Sequence, residues 1–176
     1  LVVWQELGEI DTIQGRRVLG EYDPQQGQFV GNAFQVNNGI ELGCGLPDVT
    51  YFAQRQSQQG TYLVAWELLA GGGELDLQAR RVLTDGTLIG SILTVSDAEG
   101  DQADVALAFG PTVTETLAAW TDGQAGNDDV YARVVEPDGE MGSDFIVHPA
   151  PGDQNLPEVA YNPDDDEYLV LSLIHI

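Results

Sequence analysis

A short apolar stretch closed by an aromatic recurs along the chain, and it constrains the fold more than any other feature. Tyr62-Leu63-Val64-Ala65-Trp66 is preceded by Leu1-Val2-Val3-Trp4 and followed by Leu117-Ala118-Ala119-Trp120. A fourth copy begins at Tyr168-Leu169-Val170 and then loses its tryptophan. Runs of this length and composition read as buried β-strands rather than helices. The copies start at Leu1, Leu63, Leu117 and Leu169, 62, 54 and 52 residues apart, a spacing that points to a repeat architecture.

Other landmarks keep step with the tryptophans. A second strand follows each polar loop: Ile13 to Val18, Leu77 to Val82, and Val130 to Val135. Asp85-Gly86 and Asp138-Gly139 come next, a dipeptide that favours a type I′ hairpin turn. The first unit carries the longer Tyr22-Asp23-Pro24-Gln25-Gln26-Gly27 there. A third strand opens on Gly31, Gly90 and Gly142, and a fourth contains Pro47 to Tyr51, Ala103 to Leu107 and Pro157 to Tyr161. Turn-rich loops such as Asn162-Pro163-Asp164-Asp165-Asp166 lead back to the tryptophan strand.

The reading is an all-β chain of four-stranded antiparallel units at 1–62, 63–116 and 117–168, with 169–176 opening a fourth. Units of this size match propeller blades, so the expectation is a partial β-propeller. A β-sandwich is the alternative, but a sandwich does not require four equivalent strands to recur in phase. Three units fall short of the ~4–8 that close a ring. The opening inside a strand pattern fits a piece of a longer array, with further blades expected.

The series Pro157-Glu158-Val159-Ala160-Tyr161-Asn162, Glu167-Tyr168-Leu169-Val170, Val130-Tyr131-Ala132-Arg133-Val134 and Asp138-Gly139 with Phe145-Ile146-Val147 resembles a repeat of large secreted or cell-surface bacterial proteins. The resemblance spans nearly the whole chain. It implies a propeller-like array, an extracellular or cell-surface location, and a scaffold or binding role whose ligand is unknown, a protein or a glycan being the candidate partners. The segment from Leu171 to Ile176 departs from the pattern, and no function is placed on His175.

Charge narrows the partners. The chain carries 29 Asp+Glu against 6 Lys+Arg, a net charge of −23, and every cation is arginine. Such a field repels nucleic acid and anionic lipid, and it attracts cations. No apolar run reaches the ~18 residues of a membrane span. Cys44 is the one cysteine, so no intrachain disulfide forms, and it reads as a small buried residue.

Three constellations stand out. Arg16, Arg80 and Arg133 recur in phase, as do the acids Asp48, Asp104 and Glu158. One ion pair per unit accounts for both sets, because a buried guanidinium needs a partner. The oxygen-rich loops with Asp122, Asn127, Asp128 and Asp129, and with Asp164, Asp165 and Asp166, are Ca²⁺ candidates, although solvated turns have the same composition. No other cofactor is implied. Trp4, Trp66 and Trp120 are expected to pack between neighbouring sheets rather than to stack on sugars.

Enzyme signatures are missing: there is no G-x-S-x-G, H-E-x-x-H, Walker loop or C-x-x-C. His148 lacks a partnered nucleophile and reads as a surface residue. The expected function is a non-enzymatic scaffold or binding module. The alternative is part of a propeller-type glycosidase or lyase whose catalytic residues lie in other blades.

Overall fold

A computed structural model describes residues 1–23, 27–37, 43–52, 60–124 and 126–174. Residues 24–26 of the first unit's long turn, Ala125 of the first acidic loop and His175 lie outside the described residues. The fold is all-β and antiparallel, and the described residues include no helix.

The strands form four sheets in chain order. Val2–Glu6 (β1), Thr12–Asp23 (β2) and Gly27–Gln35 (β3) make the first. Cys44–Phe52 (β4), Thr61–Leu69 (β5), Leu75–Leu83 (β6) and Leu88–Ser96 (β7) make the second. Gln102–Gly110 (β8), Glu115–Asp122 (β9), Asp129–Val135 (β10) and Phe145–Ile146 (β11) make the third. Gln154–Asn162 (β12) and Glu167–Ile174 (β13) pair as the fourth.

Each strand that precedes a tryptophan strand pairs with it, β4 with β5 and β8 with β9. The sequence units at 1–62, 63–116 and 117–168 therefore straddle two sheets each. A period alone leaves the phase of the unit open, and the β4–β5 and β8–β9 pairings set it. The strand expected after Gly142 is cut to Phe145–Ile146, with an isolated bridge between Val135 and Met141. The Asp-Gly turns differ from type I′. Only the glycine has positive φ (94° at Gly86, 97° at Gly139), and the Gly86 N–H bonds the Leu83 carbonyl. This is a three-residue hairpin loop, a type I turn closed by a left-handed glycine.

Successive sheets stack face to face, because alternate side chains of one strand serve two interfaces. On β5, Val64 and Trp66 pack with Ile13 and Val36 of the first sheet. Leu63 and Ala65 pack with Val105, Leu107, Ala118 and Trp120 of the third. On β9, Leu117 and Ala119 turn to Val159, Tyr168 and Val170 of the fourth. Trp66 and Trp120 thus each enter the interface with the preceding sheet and are fully buried there. Trp4, on β1, is half-buried. Tyr168 donates to the Glu115 carbonyl at 2.8 Å; burial and then the Glu115 carboxylate push its phenol up to about 12.

Candidate functional site

The first strands β4, β8 and β12 of successive sheets lie side by side, and a β-bulge interrupts each at the same place. Gly45 and Asp48 pair with Glu67 and Ala65, so one extra residue is inserted. Ala103/Ala106 and Asn155/Glu158 repeat the pattern. The bulges hold Leu46, Asp104 and Leu156 at φ of 40°, 55° and 53°, a left-handed region that side chains enter at a cost. Between them opens a cleft of about 300 Å³ lined by residues that include Asp48, Asp104, Pro157 and Glu158. The three acids that recur in the sequence converge here.

They are not equivalent, however. The cross-strand partners Ala65, Ala119 and Leu171 align Asp48 with Ala106 and Glu158. Asp104 aligns with Leu46 and Leu156, two residues earlier. The Asp-Val dipeptide at 104–105 mimics the one at 48–49 and hides the shift.

Hydrogen bonds to backbone engage these carboxylates. Asp48 accepts the N–H groups of Leu107 and Val49, both at 2.7 Å. Burial pushes its carboxyl up, those two bonds oppose the rise, and the Glu158 charge adds to it. Asp104 accepts the Thr121 hydroxyl at 3.1 Å, and Thr121 Oγ1 accepts the Leu156 N–H at 3.1 Å. Glu67 accepts the Asp104 N–H at 2.8 Å; burial raises its carboxyl, that bond lowers it, and the Asp104 and Asp101 charges raise it further. Glu67 and Thr121 directly follow Trp66 and Trp120. Each reaches forward to hold the bulge of the next sheet. The polar residue after each tryptophan was the available sequence signal for this role.

The arginines work across the same interfaces. Arg80 donates to the Val36 carbonyl at 3.3 Å, and Arg133 donates to the Val95 carbonyl, each in the preceding sheet. Arg17 and Arg81 reach the other way, to the turn carbonyls of Thr84 at 3.2 Å and Pro137 at 3.0 Å. Gly31 and Gly90, with φ of 74° and 71°, leave room beside these guanidiniums. One ion pair per unit with Asp48, Asp104 and Glu158 is expected from the sequence; the contacts shown for Arg80 and Arg133 include these backbone carbonyls. Arg133 also stands 3.7 Å from Asp144. A planar fork with several donors suits carbonyls as well as carboxylates. Arg16 lies over the Phe29 ring at 4.1 Å.

The acidic loops are hydrogen-bonded turns. Asp122 accepts from the Trp120 indole at 2.9 Å and the Gln124 N–H at 3.0 Å, and Asp129 accepts from Gln154 at 3.0 Å. Asn127 donates to the Gly152 carbonyl at 3.4 Å. Burial raises the Asp128 carboxyl, followed by the charges of Asp153, Asp101, Asp104 and Asp129. Asp166 accepts from Tyr161 at 2.7 Å, Asp165 from Asn162 at 2.9 Å, and the Asp164 N–H bonds Asn162 at 3.0 Å. Among the described residues no three His, Cys, Asp or Glu side chains form a group that could hold a metal ion. Cys44 is buried beside the Asn37 amide, and His148 is exposed. No family model, curated protein or solved structure matches the chain.

Proposed function

We propose that the chain is a non-enzymatic repeat module of a secreted or cell-surface protein, serving as a scaffold or binding platform. In this reading its four-stranded sheets are blades of a partial β-propeller. One observation carries the proposal: the polar groups that recur from sheet to sheet are engaged in holding neighbouring sheets together. Arg80 and Arg133 reach back to carbonyls, Arg17 and Arg81 reach forward, and Glu67 and Thr121 hold the next bulge. The adjacent first strands β4, β8 and β12 suit the inner strands of a propeller.

The acidic cleft favours a second reading, a carbohydrate-active enzyme, since such enzymes use carboxylate pairs. Against catalysis within the cleft, both Asp48 oxygens accept backbone N–H groups. Panels of immobilised glycans and of soluble polysaccharides separate the two. Glycan retention without release of reducing ends supports the binding platform. Release of reducing ends that is lost in Asp48→Asn or Glu158→Gln overturns it.

A further inference from the structure

β8 ends the hydrogen-bonded order of the third sheet, so one of its edges has no partner strand. Two of its N–H groups, one inside the bulge and one just past it, are taken by carboxylates of the second sheet. Glu67 accepts from Asp104 at 2.8 Å, and Asp48 accepts from Leu107 at 2.7 Å. A backbone N–H withdrawn from water needs such an acceptor. Leu63 and Ala65 pack against Val105, Ala118 and Trp120 in the same seam. The charged groups acting on the two carboxylates are themselves acids: Asp104 and Asp101 on Glu67, and Glu158 of β12 on Asp48. Asp104 and Glu158 also line the cleft beside Asp48.

The bulge of β12 is held differently. Thr121, which follows Trp120 as Glu67 follows Trp66, offers a neutral hydroxyl oxygen to the Leu156 N–H at 3.1 Å. Ala106 stands where Asp48 stands one sheet earlier. The loop acids do not distinguish the two seams. Asp101 accepts the Leu75 N–H at 2.9 Å at one, and Asp153 accepts the Asp128 N–H at 3.3 Å at the other.

We propose that the seam between the second and third sheets is a pH-sensitive joint, which ionisation of Asp48 and Glu67 loosens and protonation tightens, while the bulge of β12 is held alike in both states. Ionised, each carboxylate is kept from water beside like charge, and parting of the sheets returns it to solvent. Protonated, each keeps a carbonyl oxygen for its N–H and carries no charge to repel. Burial raises both carboxyls, in agreement with that direction. A group whose pKa is higher in the closed seam than in the open one favours closure at low pH and loses that contribution as pH rises through the raised range. The inference rests on the acceptors at the bulges and not on the scaffold reading.

Amide hydrogen exchange of residues 1–176 tests it, read by NMR at constant ionic strength over a pH series that spans the raised range, with intrinsic exchange rates divided out. Protection of the Asp104 and Leu107 amides should fall with rising pH more steeply than that of the Leu156 amide. Asp48→Asn and Glu67→Gln keep an acceptor oxygen and remove the titration. Each should lessen the slope at both amides, and the double variant should bring it down to that of Leu156. If circular dichroism shows the double variant unfolded, the single variants decide. Equal slopes at the three amides of the wild type, or an excess slope that survives the substitutions, overturns the inference.

Discussion

Trp66 and Trp120 hold the same place in successive sheets but differ in one atom's surroundings. The Trp120 indole N–H bonds Asp122, whereas the Trp66 indole N–H is buried without a hydrogen-bond partner among the described residues, and Leu68 stands where the acid would be. Truncation to alanine should cost about 3–5 kcal/mol at either site. Phenylalanine should separate them in urea melts. Trp120→Phe leaves a buried Asp122 oxygen unsatisfied and should cost about 1–3 kcal/mol more than Trp66→Phe, which removes an orphan donor. Equal costs would show that Asp122 does not depend on the indole. Asp48 and Glu67 supply a second test at this scale. Burial raises both carboxyls above their ordinary 3.8 and 4.5. Between those values and the raised ones the folded chain holds more protons than the unfolded chain, so stability falls as pH rises through the window. The melting temperature should therefore rise as pH is lowered through the raised range of these two carboxyls, the reverse of ordinary acid denaturation. Asp48→Asn, which keeps an acceptor for Leu107, should flatten that rise; an unchanged slope would remove Asp48 as a cause.

At the scale of elements, the bulges of β4, β8 and β12 are the recurring irregularity. Leu46 and Leu156 hold a left-handed backbone while largely exposed, so neither side chain's packing justifies the strain. Asparagine tolerates that conformation better. Leu46→Asn and Leu156→Asn should each stabilise by about 1 kcal/mol, read as a higher urea midpoint at constant slope. A loss of stability would mean that the leucines support the cleft. These bulges also mark where the sequence stopped being readable. The tryptophan strands, their order and the turn positions were visible, because apolar runs and Asp-Gly pairs are local signals. The bulge was not, because an extra residue with backbone of opposite hand has no compositional mark when leucine or aspartate occupies it. The alignment of Asp104 with Asp48 and Glu158 failed for that reason. The carbonyl contacts of the arginines were hidden for another reason: in-phase recurrence shows that Arg80 and Arg133 share an environment, but a carbonyl acceptor belongs to the backbone and leaves no trace in residue types. The pair Arg17 and Arg81 was equally in phase, yet only the crossing of sheets reveals that it points opposite to its neighbours.

The whole molecule carries a net charge of −23, and its carboxylates lie close together around Asp128 and the cleft. Repulsion of this size is relieved by any salt. Since the loop acids are engaged with Trp120, Gln124, Gln154, Tyr161 and Asn162, CaCl₂ and NaCl of equal ionic strength should raise the melting temperature alike. An additional rise that grows with free Ca²⁺ would show a true site, by linkage. Finally, the crossed arginines have a consequence for how such a chain changes length. The second and third sheets each extend one guanidinium to a carbonyl of the sheet before, and each receives one at its turn from that same sheet. A gene that duplicated in tandem the period carrying Arg80 and Arg81 would place the same donors and acceptors at the new seam, and neither neighbour would need a compensating substitution. Insertions of part of a period would break both contacts at once. Lineages descending from this chain should therefore differ by whole periods, with the arginine pair kept at the junctions between the first, second and third sheets.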